Sequence, residues 1–579
     1  MNNNLKKIFA SLLVLAMVVT VVPNLANVKG NDEANTYSVT YQFANQTAGS
    51  AYGKIAITTE EPGEYSIYWG DDNGEKLKSN NIEYSELGTC TTTQSKLSAT
   101  YSVISEYTAV PEGAKEVLLV DEDEDVVATY DIPQNKQLNE GTSKYKFALM
   151  SDVHYNRYPE EGDNTINDSA VRAFDRALKF VNAQGIKLVT LTGDLSNQGE
   201  ISSYNKFNAA VAKYPGMVAY TCMGNHDVSW TKSYKTTVPL FAANVNKTRT
   251  TDKNVKNINS NGVDFVYQNG DDIFIFFSQT KASYGKNREL VTPEQLNWLE
   301  RMLNRYANKK IYLYYHTFFA AENGDVTKGV GNLQTPLGYT YDLTYYFGNP
   351  DEVRFRKLLN KYPNITLFGG HSHWSLAEQQ YNTYANIGNI NSKKTGASIV
   401  HIPSVTAPRT AVLDKTVFDG GQKRYENYDE KSEGYIATRY ANSTVYTAVD
   451  FMSGKYLAYA TYINLDGKTS TPQKEITIGK SKIKSVGKAK KVSKKSKYYK
   501  AKIKYAKVAN ATSYKVQYST SKKFKSGKTK TKTVKATSCT ITKLKRKTTY
   551  YIRVRAVGSQ FGYTLYGKWS TTKKVKTKK

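Results

Sequence analysis

The strongest constraint on what this chain can fold into is the placement of its histidines. There are six in 579 residues, and five of them fall at the ends of apolar, strand-like runs, in a set of motifs that also holds Asp and Asn. The motifs, in order, are Asp152-Val153-His154, Gly193-Asp194, Gly224-Asn225-His226-Asp227, His316 and Gly370-His371-Ser372-His373. Each makes sense as part of a site gathered at one edge of a sheet. In an extended segment residues two apart point to the same side, so Asp152 with His154, and His371 with His373, are each expected to present two ligands to one cavity. The glycines before Asp194, Asn225 and His371 are expected to allow sharp strand-to-loop turns. Mixed nitrogen and oxygen ligands suit zinc, manganese or iron better than an all-oxygen calcium site.

The strands that lead into these motifs read as 147–150, 187–192, 217–222, 311–315 and 365–368. Between the first two, Val171, Phe174, Leu178 and Val181 form the apolar stripe of a helix that Gly185 stops. Another helix opens with Thr292 as cap, Pro293 in its first turn and Gln295 closing a capping box, and buries Leu296, Leu299 and Leu303. A third starts at Asn349-Pro350. This alternation is the signature of a layered α/β domain, placed at 144–465 together with the strand-like runs 398–402 and 444–451. Ahead of it, residues 36–142 mix short Tyr, Val, Ile and Thr runs with turn signals such as Glu61-Pro62-Gly63 and read as a β-sandwich. Its acidic stretch at 121–125 lacks the spacing and glycine of an EF-hand and reads as a solvated turn. A polar linker is expected at 466–479, and residues 480–579 again alternate apolar and polar positions.

Charge separates this last region from the rest. The net charge is +29, but 33 of the 80 Lys and Arg lie in 480–579, where there is no Asp or Glu, which leaves 47 basic against 51 acidic residues before it. At the other end, Lys6 and Lys7, an apolar run at 8–22, then Pro23 and small residues near Ala26 read as a secretory signal peptide at 1–30. The rival reading, a membrane anchor, needs a span of about 20 apolar residues, and this run is short for it. The expectation is therefore a secreted or cell-surface protein with no stable membrane anchor. Cys90, Cys222 and Cys539 lie far apart, which argues against a disulfide framework.

The ordered motifs D-x-H, G-D, G-N-H-D, a lone H and G-H-x-H resemble the calcineurin-like metallophosphoesterase family over about 144–465, and the stretch from Pro293 to Glu300 is similar to a helix many secreted members carry. The resemblance implies an α/β fold, a four-layer α/β sandwich, here flanked by β-sandwich domains. It implies two divalent transition-metal ions, the first on Asp152, His154 and His373, the second on Asn225, His316 and His371, with Asp194 bridging both. His226 resembles the family's catalytic acid, with Asp227 placed to orient its ring. The implied reaction is hydrolysis of a phosphate mono- or diester by a metal-activated water, with His226 protonating the leaving oxygen. The purple acid phosphatase branch has G-D-x-x-Y where this chain has Asn197, so a colourless pair of divalent ions is expected instead of a tyrosinate-iron centre. His401, in the apolar run 399–402, is read as packing.

The tail resembles fibronectin type III domains, through Tyr514-Lys515-Val516-Gln517-Tyr518, 550–557 and Tyr566-Gly567-Lys568-Trp569-Ser570. So much positive charge points to an acidic partner, an anionic cell-wall polymer ahead of anionic lipid or extracellular nucleic acid, while a soluble lysine-rich spacer is the plainer alternative. Two rival functions remain: a cell-wall or polyanion-binding surface protein with a vestigial hydrolase domain, and a nucleic-acid-binding protein.

Overall fold

A computed structural model of the chain describes residues 37–578 apart from 44–51, 78–85, 93–107, 110–113, 132–142, 157–163, 282–288, 320–348, 377–386, 414–421, 427–430, 458–461 and a few single positions. The leader reading at 1–30 lies outside the described residues.

In the N-terminal region Ser38–Phe43, Tyr52–Thr58 and Thr108–Ala109 form one small sheet and Glu86–Thr92, Gly63–Gly70, Glu116–Val120 and Val126–Asp131 another. Val39, Ile57, Ile67, Trp69, Val117 and Leu119 form its core. The acidic stretch is a turn tied by its own first carboxylate, with Asp121 Oδ1 accepting from the backbone N–H of Asp123 at 3.1 Å and Asp125 at 2.9 Å.

The central domain contains β1 (Tyr145–Met150), β2 (Leu188–Leu191), β3 (Val218–Thr221), β4 (Val255–Ile258), β5 (Phe265–Asn269) and β6 (Asp272–Phe276). They are followed by β7 (Ile311–Tyr314), β8 (Ile365–Gly369), β9 (Ile387–Asn389), β10 (Ser398–His401), β11 (Glu433–Arg439) and β12 (Ser443–Asp450). One sheet runs β3-β2-β1-β11-β12, with β1, β2 and β3 parallel, and the other runs β4-β5-β6-β7-β8-β10-β9, with β6, β7, β8 and β10 parallel.

Alternation along the strands stacks the two sheets. In β1, Phe147 and Leu149 join a cluster between the sheets while Ala148 and Met150 face helices; in β7, Tyr312 and Tyr314 point between the sheets and Ile311 and Leu313 outward. The inter-sheet layer is rich in rings, such as Phe276 stacked on Tyr314 with centroids 4.5 Å apart.

Helices α1 (Asn164–Ala183), α2 (Ile201–Ala212), the single turn α3 (Asn225–Val228) and α4 (Tyr234–Asn244) accompany the first sheet, which α1, α2 and α4 cover through Phe174, Leu178, Val181, Tyr204, Phe207 and Phe241. Helices α5 (Pro293–Arg305) and α6 (Pro350–Lys361) cover the second through Leu296, Leu299, Leu303, Phe355 and Leu359. Each such side chain, moved from water into the core, contributes about 1.5–3 kcal/mol. The result is a helix–sheet–sheet–helix sandwich. The α5 capping box forms as its sequence predicts, with Gln295 N donating to Thr292 Oγ1 at 3.2 Å and Thr292 N to Gln295 Oε1 at 3.0 Å.

The C-terminal region is a second β-sandwich. Its inner layer of Ile503, Val516, Ile541, Ile552 and Val554 lies between a sheet containing Tyr498–Tyr505 and Ser538–Lys545 and another built from β13 (Ser513–Ser519), β14 (Thr529–Val534), β15 (Thr549–Gln560), β16 (Tyr563–Tyr566) and β17 (Lys573–Lys576). The stretch 466–479 is no loose linker. Ser470 N donates to Ala307 O, Gln473 pairs with the Asn304 amide through both backbone groups, and Glu475 meets Arg301 and Arg305, so α5 supplies a row of partners that straps it down. Cys222 and Cys539 are buried free thiols. Among the described residues no helix is long and apolar enough to cross a membrane.

Candidate metal centre

All five motifs follow the C-terminal ends of parallel strands: β1 leads into Asp152 and His154, β2 into Asp194, β3 into Asn225 and His226, β7 into His316, and β8 into His371 and His373. Parallel strands emerge on one edge, so the side chains meet there. They do not meet in the way the pleat predicts. Asp152, His154, Asp194, His371 and His373 have φ of 54°, 49°, 53°, 72° and 62°, so each D-x-H and H-x-H pair is turned inward by left-handed residues in the loop beyond its strand. Of the three glycines, Gly193 itself has positive φ, 107°, and a Cβ there would lie 2.6 Å from Gly224 N. Gly224 and Gly370 are needed for room: side chains on them would run into the carboxylates of Asp194 and Asp152.

Two clusters result. In the first, His154 Nε2 lies 2.8 Å from His373 Nε2, and Asp152 Oδ1 is 3.1 Å from His373 Nε2 and 3.5 Å from His154 Nε2. In the second, His316 Nε2 is 3.0 Å from Asn225 Oδ1 and 3.2 Å from His371 Nδ1, and His371 Nδ1 is 2.8 Å from Asn225 Oδ1. Asp194 Oδ2 stands between them, 3.5 Å from His154 Nε2 and 3.0 Å from His316 Nε2. All are buried except His371, which is half-buried.

Each carboxylate has one oxygen anchored and one left over. Asp152 Oδ2 accepts from Ser151 Oγ and from His371 N, and Asp194 Oδ1 accepts from His226 N at 2.9 Å. The other oxygens, Asp152 Oδ1 and Asp194 Oδ2, are buried and accept no hydrogen bond. Buried polar atoms are rarely left so. His316 Nδ1 faces Thr192 O at 2.9 Å, which leaves Nε2 for the cluster. Imidazole lone pairs converging on unspent carboxylate oxygens fit divalent metal ions, and Asp152 with His154 and His373, Asp194 with His316 and His371, and His154 with Asp194 and His226 are each close enough to hold one.

Electrostatics agrees. Burial alone would raise both carboxyls, yet His373 and His316 hold Asp152 well below the usual range, and His316 and His226 hold Asp194 below it. Burial and His316 push His371 down to about 3, and burial and Arg409 push His373 down to about 3, the neutral form a metal requires. His316 goes the other way, since Asp194 and Asp152 raise it to about 9 against burial, so this ring gives up a proton when a metal binds.

Asp227 does not take its expected place. Its oxygens accept from the N–H groups of Leu195, Ser196 and Gly224 and from Ser196 Oγ, so it props the β2 and β3 loops. Asn197 faces the His226 ring instead, its backbone O and its Oδ1 each 3.0 Å from Nδ1. The sequence marked Asn197 only for lacking a tyrosine. Two further residues went unforeseen. Ser404 Oγ donates to Asp152 O at 2.8 Å, and Arg409, buried beside the H-x-H loop, donates from its backbone to His373 O at 2.7 Å. His401 is buried in neither cluster, with Nε2 2.6 Å from Ser372 Oγ, and burial lowers its pKa to about 4.

Comparison with known proteins agrees with this geometry. Residues 145–375 match the family model of the calcineurin-like phosphoesterases, and residues 500–572 that of the fibronectin type III domain. The chain thus carries a calcineurin-like phosphoesterase domain, whose family consists of metal-dependent phosphoester hydrolases, followed by a fibronectin type III domain. Among solved structures, the protein TT1561 of Thermus thermophilus is 8% identical, covers 56% of this chain and 99% of its own, and has a TM-score of 0.27. The fn3 domain of human collagen alpha-1(XX) chain is 19% identical over 20% of this chain and 90% of its own, with a TM-score of 0.13. No curated protein matches the chain in sequence.

Proposed function

We propose that the chain is a secreted or cell-surface enzyme that holds two divalent transition-metal ions, manganese, zinc or iron, and hydrolyses phosphate mono- or diesters. The observation that carries this reading is the pair of unspent, buried carboxylate oxygens, Asp152 Oδ1 and Asp194 Oδ2, set among imidazole nitrogens. Asp152, His154 and His373 would hold one ion, Asn225, His316 and His371 the other, and Asp194 both. When bound, the ions neutralise phosphate charge and make a water acidic enough to attack phosphorus.

The chain's own residues set up the rest. Only two of the seven ligands are anionic, so the loaded site keeps positive charge and draws in a phosphate. His226 stands at the rim, half-buried, its ring centroid 4.5 Å from that of His154. Its Nδ1 faces an acceptor, the Asn197 carbonyl, so Nδ1 carries a fixed proton and Nε2 presents the one given to the leaving oxygen. Lys6 and Lys7 followed by the apolar run 8–22 support export, and 33 cations without an Asp or Glu in 480–579 support engagement of an anionic cell-wall polymer or other polyanion.

The test is elemental analysis of the manganese-loaded chain together with turnover of p-nitrophenyl phosphate and its bis ester. About two ions per chain and hydrolysis of at least one ester are expected. A folded protein with one ion or none overturns the two-ion site, and a fully loaded protein inert on both esters favours a polyanion-binding protein with a vestigial hydrolase domain.

A further inference from the structure

The positive charge of the tail is not spread evenly. On the outer face of the β13–β15 sheet, cations and rings alternate in a ladder: Phe524, Arg553, Trp569, Arg555, Tyr566, Lys515. The Arg553 guanidinium is 4.1 Å from the Phe524 ring and 4.3 Å from Trp569, and that of Arg555 is 4.7 Å from Trp569 and 3.9 Å from Tyr566. Lys515 Nζ lies 5.0 Å over Tyr566. Strand register builds this, since Lys515 is paired with Arg555 and Gln517 with Arg553, while the intervening Val516, Ile552 and Val554 fill the core. Arg553 Nε donates to Gln517 Oε1 at 2.9 Å, which fixes its fork.

Two consequences follow from the stacking. Rings take up the flat faces of the guanidinium groups and leave their edges, which carry the N–H donors in a planar fork suited to phosphate oxygens. In turn, every ring of the ladder is engaged by the protein's own cations, Trp569 and Tyr566 by two each. Single-stranded nucleic acid is usually gripped by aromatic faces open to its bases. Here each ring already has at least one of the chain's own cations against it, with which bases would have to compete for ring face.

We propose that this ladder is the binding face for a polyol-phosphate polymer of the cell wall, a linear polyanion without bases. The proposal rests on the reading of the tail as polyanion-binding, and the experiment separates the two. Binding of the full chain to purified poly(glycerol phosphate) is measured in about 50 mM salt, where phosphate contacts are strongest. The variant Arg553→Gln with Arg555→Gln is compared with Lys500→Gln with Lys502→Gln, which removes the same charge from exposed positions of the opposite sheet. Loss of two charge-assisted donors should weaken binding about tenfold or more, whereas the exposed lysine pair should cost about twofold at most.

Melting of each variant checks folding. If the glutamine pair unstacks the ladder and melts early, Arg553→Lys with Arg555→Lys keeps the charge and stems but not the forks, and should still lose most of the affinity. Equal losses from the two glutamine pairs, or unchanged binding in Arg553→Lys with Arg555→Lys, overturn the ladder and leave diffuse charge. Tighter binding of oligothymidylate with the same number of phosphates overturns the choice of polymer. No binding by the unaltered chain in low salt overturns the polyanion reading itself.

Discussion

A left-handed backbone at a residue with a side chain costs about 1–2 kcal/mol, and five of the expected metal ligands adopt it. Such strain persists where the surroundings fix it, and here hydrogen bonds from Ser404 and Thr406 to the Asp152 carbonyl and from Ser151 and His371 to its carboxylate do so. The roles of single residues then separate. Asp194→Asn should abolish turnover and metal loading together, because Asp194 stands in both clusters. His226→Gln should lower turnover by about 10²–10⁴-fold with metal content intact, the usual worth of a positioned acid; a variant that loses metal would show His226 to be a ligand. Asn197→Ala should follow His226 in lowering turnover alone. Asp227→Ala leaves three buried N–H groups without their acceptor, at about 1–3 kcal/mol each, and should appear as lost stability and metal with no selective fall in turnover. With Asn197 where a tyrosinate would stand, the isolated protein should show no strong visible absorption band.

At the scale of elements, the parts legible in the sequence are those specified locally. The runs at 147–150, 187–192, 217–222, 311–315 and 365–368 come out as β1, β2, β3, β7 and β8 within two residues, and the α5 cap forms from the residues that announce it. What escaped depended on partners far along the chain. The antiparallel β4–β5–β6 meander is one such part, although Gly262 and Gly270, with φ of 76° and 58°, mark its two turns. The inward turning of the ligand pairs was equally illegible, because it depends on how close the β1 and β8 loops approach. Gly370→Ala tests that approach. Its added Cβ meets Ser151 Oγ and the Asp152 carboxylate, so metal should be lost. Gly216→Ala is the control, since nothing lies within 4 Å and only its φ of 78° is strained. It should cost about 1 kcal/mol and spare metal binding. Equal metal loss in both would refer the effect to general destabilisation.

For the whole molecule, the edge opposite the metal clusters is held by charge. Arg439 of β11 pairs with Asp272 of β6 at 2.9 Å and with Asp466 at 2.7 Å, joining the two sheets, and burial lowers the nearby Lys310 to about 8 against the pull of Asp466. Asp272→Ala would leave the buried Arg439 guanidinium with Asp466 as its remaining carboxylate partner and should cost about 1–3 kcal/mol in thermal unfolding. Beyond this edge the strap passes to the fibronectin domain, where Gln560 accepts from Ile476 N at 2.8 Å, Gly562 abuts Asn297 and Tyr563 packs on the α5–α6 core. Since β7 begins just after α5, the end of α5 that Glu475 grips is remote from the ligands, and deleting 480–579 should leave turnover of a small ester unchanged. Docking itself should respond to acid. Hydrogen bonds from Arg301 and Arg305 hold the Glu475 carboxyl below its ordinary value, so its contribution is complete above the ordinary glutamate pKa of about 4.3 and disappears as pH falls through the depressed one. Glu475 is partly exposed, so each pair is worth no more than about 1 kcal/mol. Cleavage of the strap by an acid-tolerant protease should therefore be slower in the unaltered chain than in Glu475→Gln at neutral pH, and the two rates should converge in acid. A difference that persists below the depressed pKa would mean that the Glu475 side chain acts without its charge, and none at neutral pH that the backbone and Tyr563 contacts alone hold the tail in place.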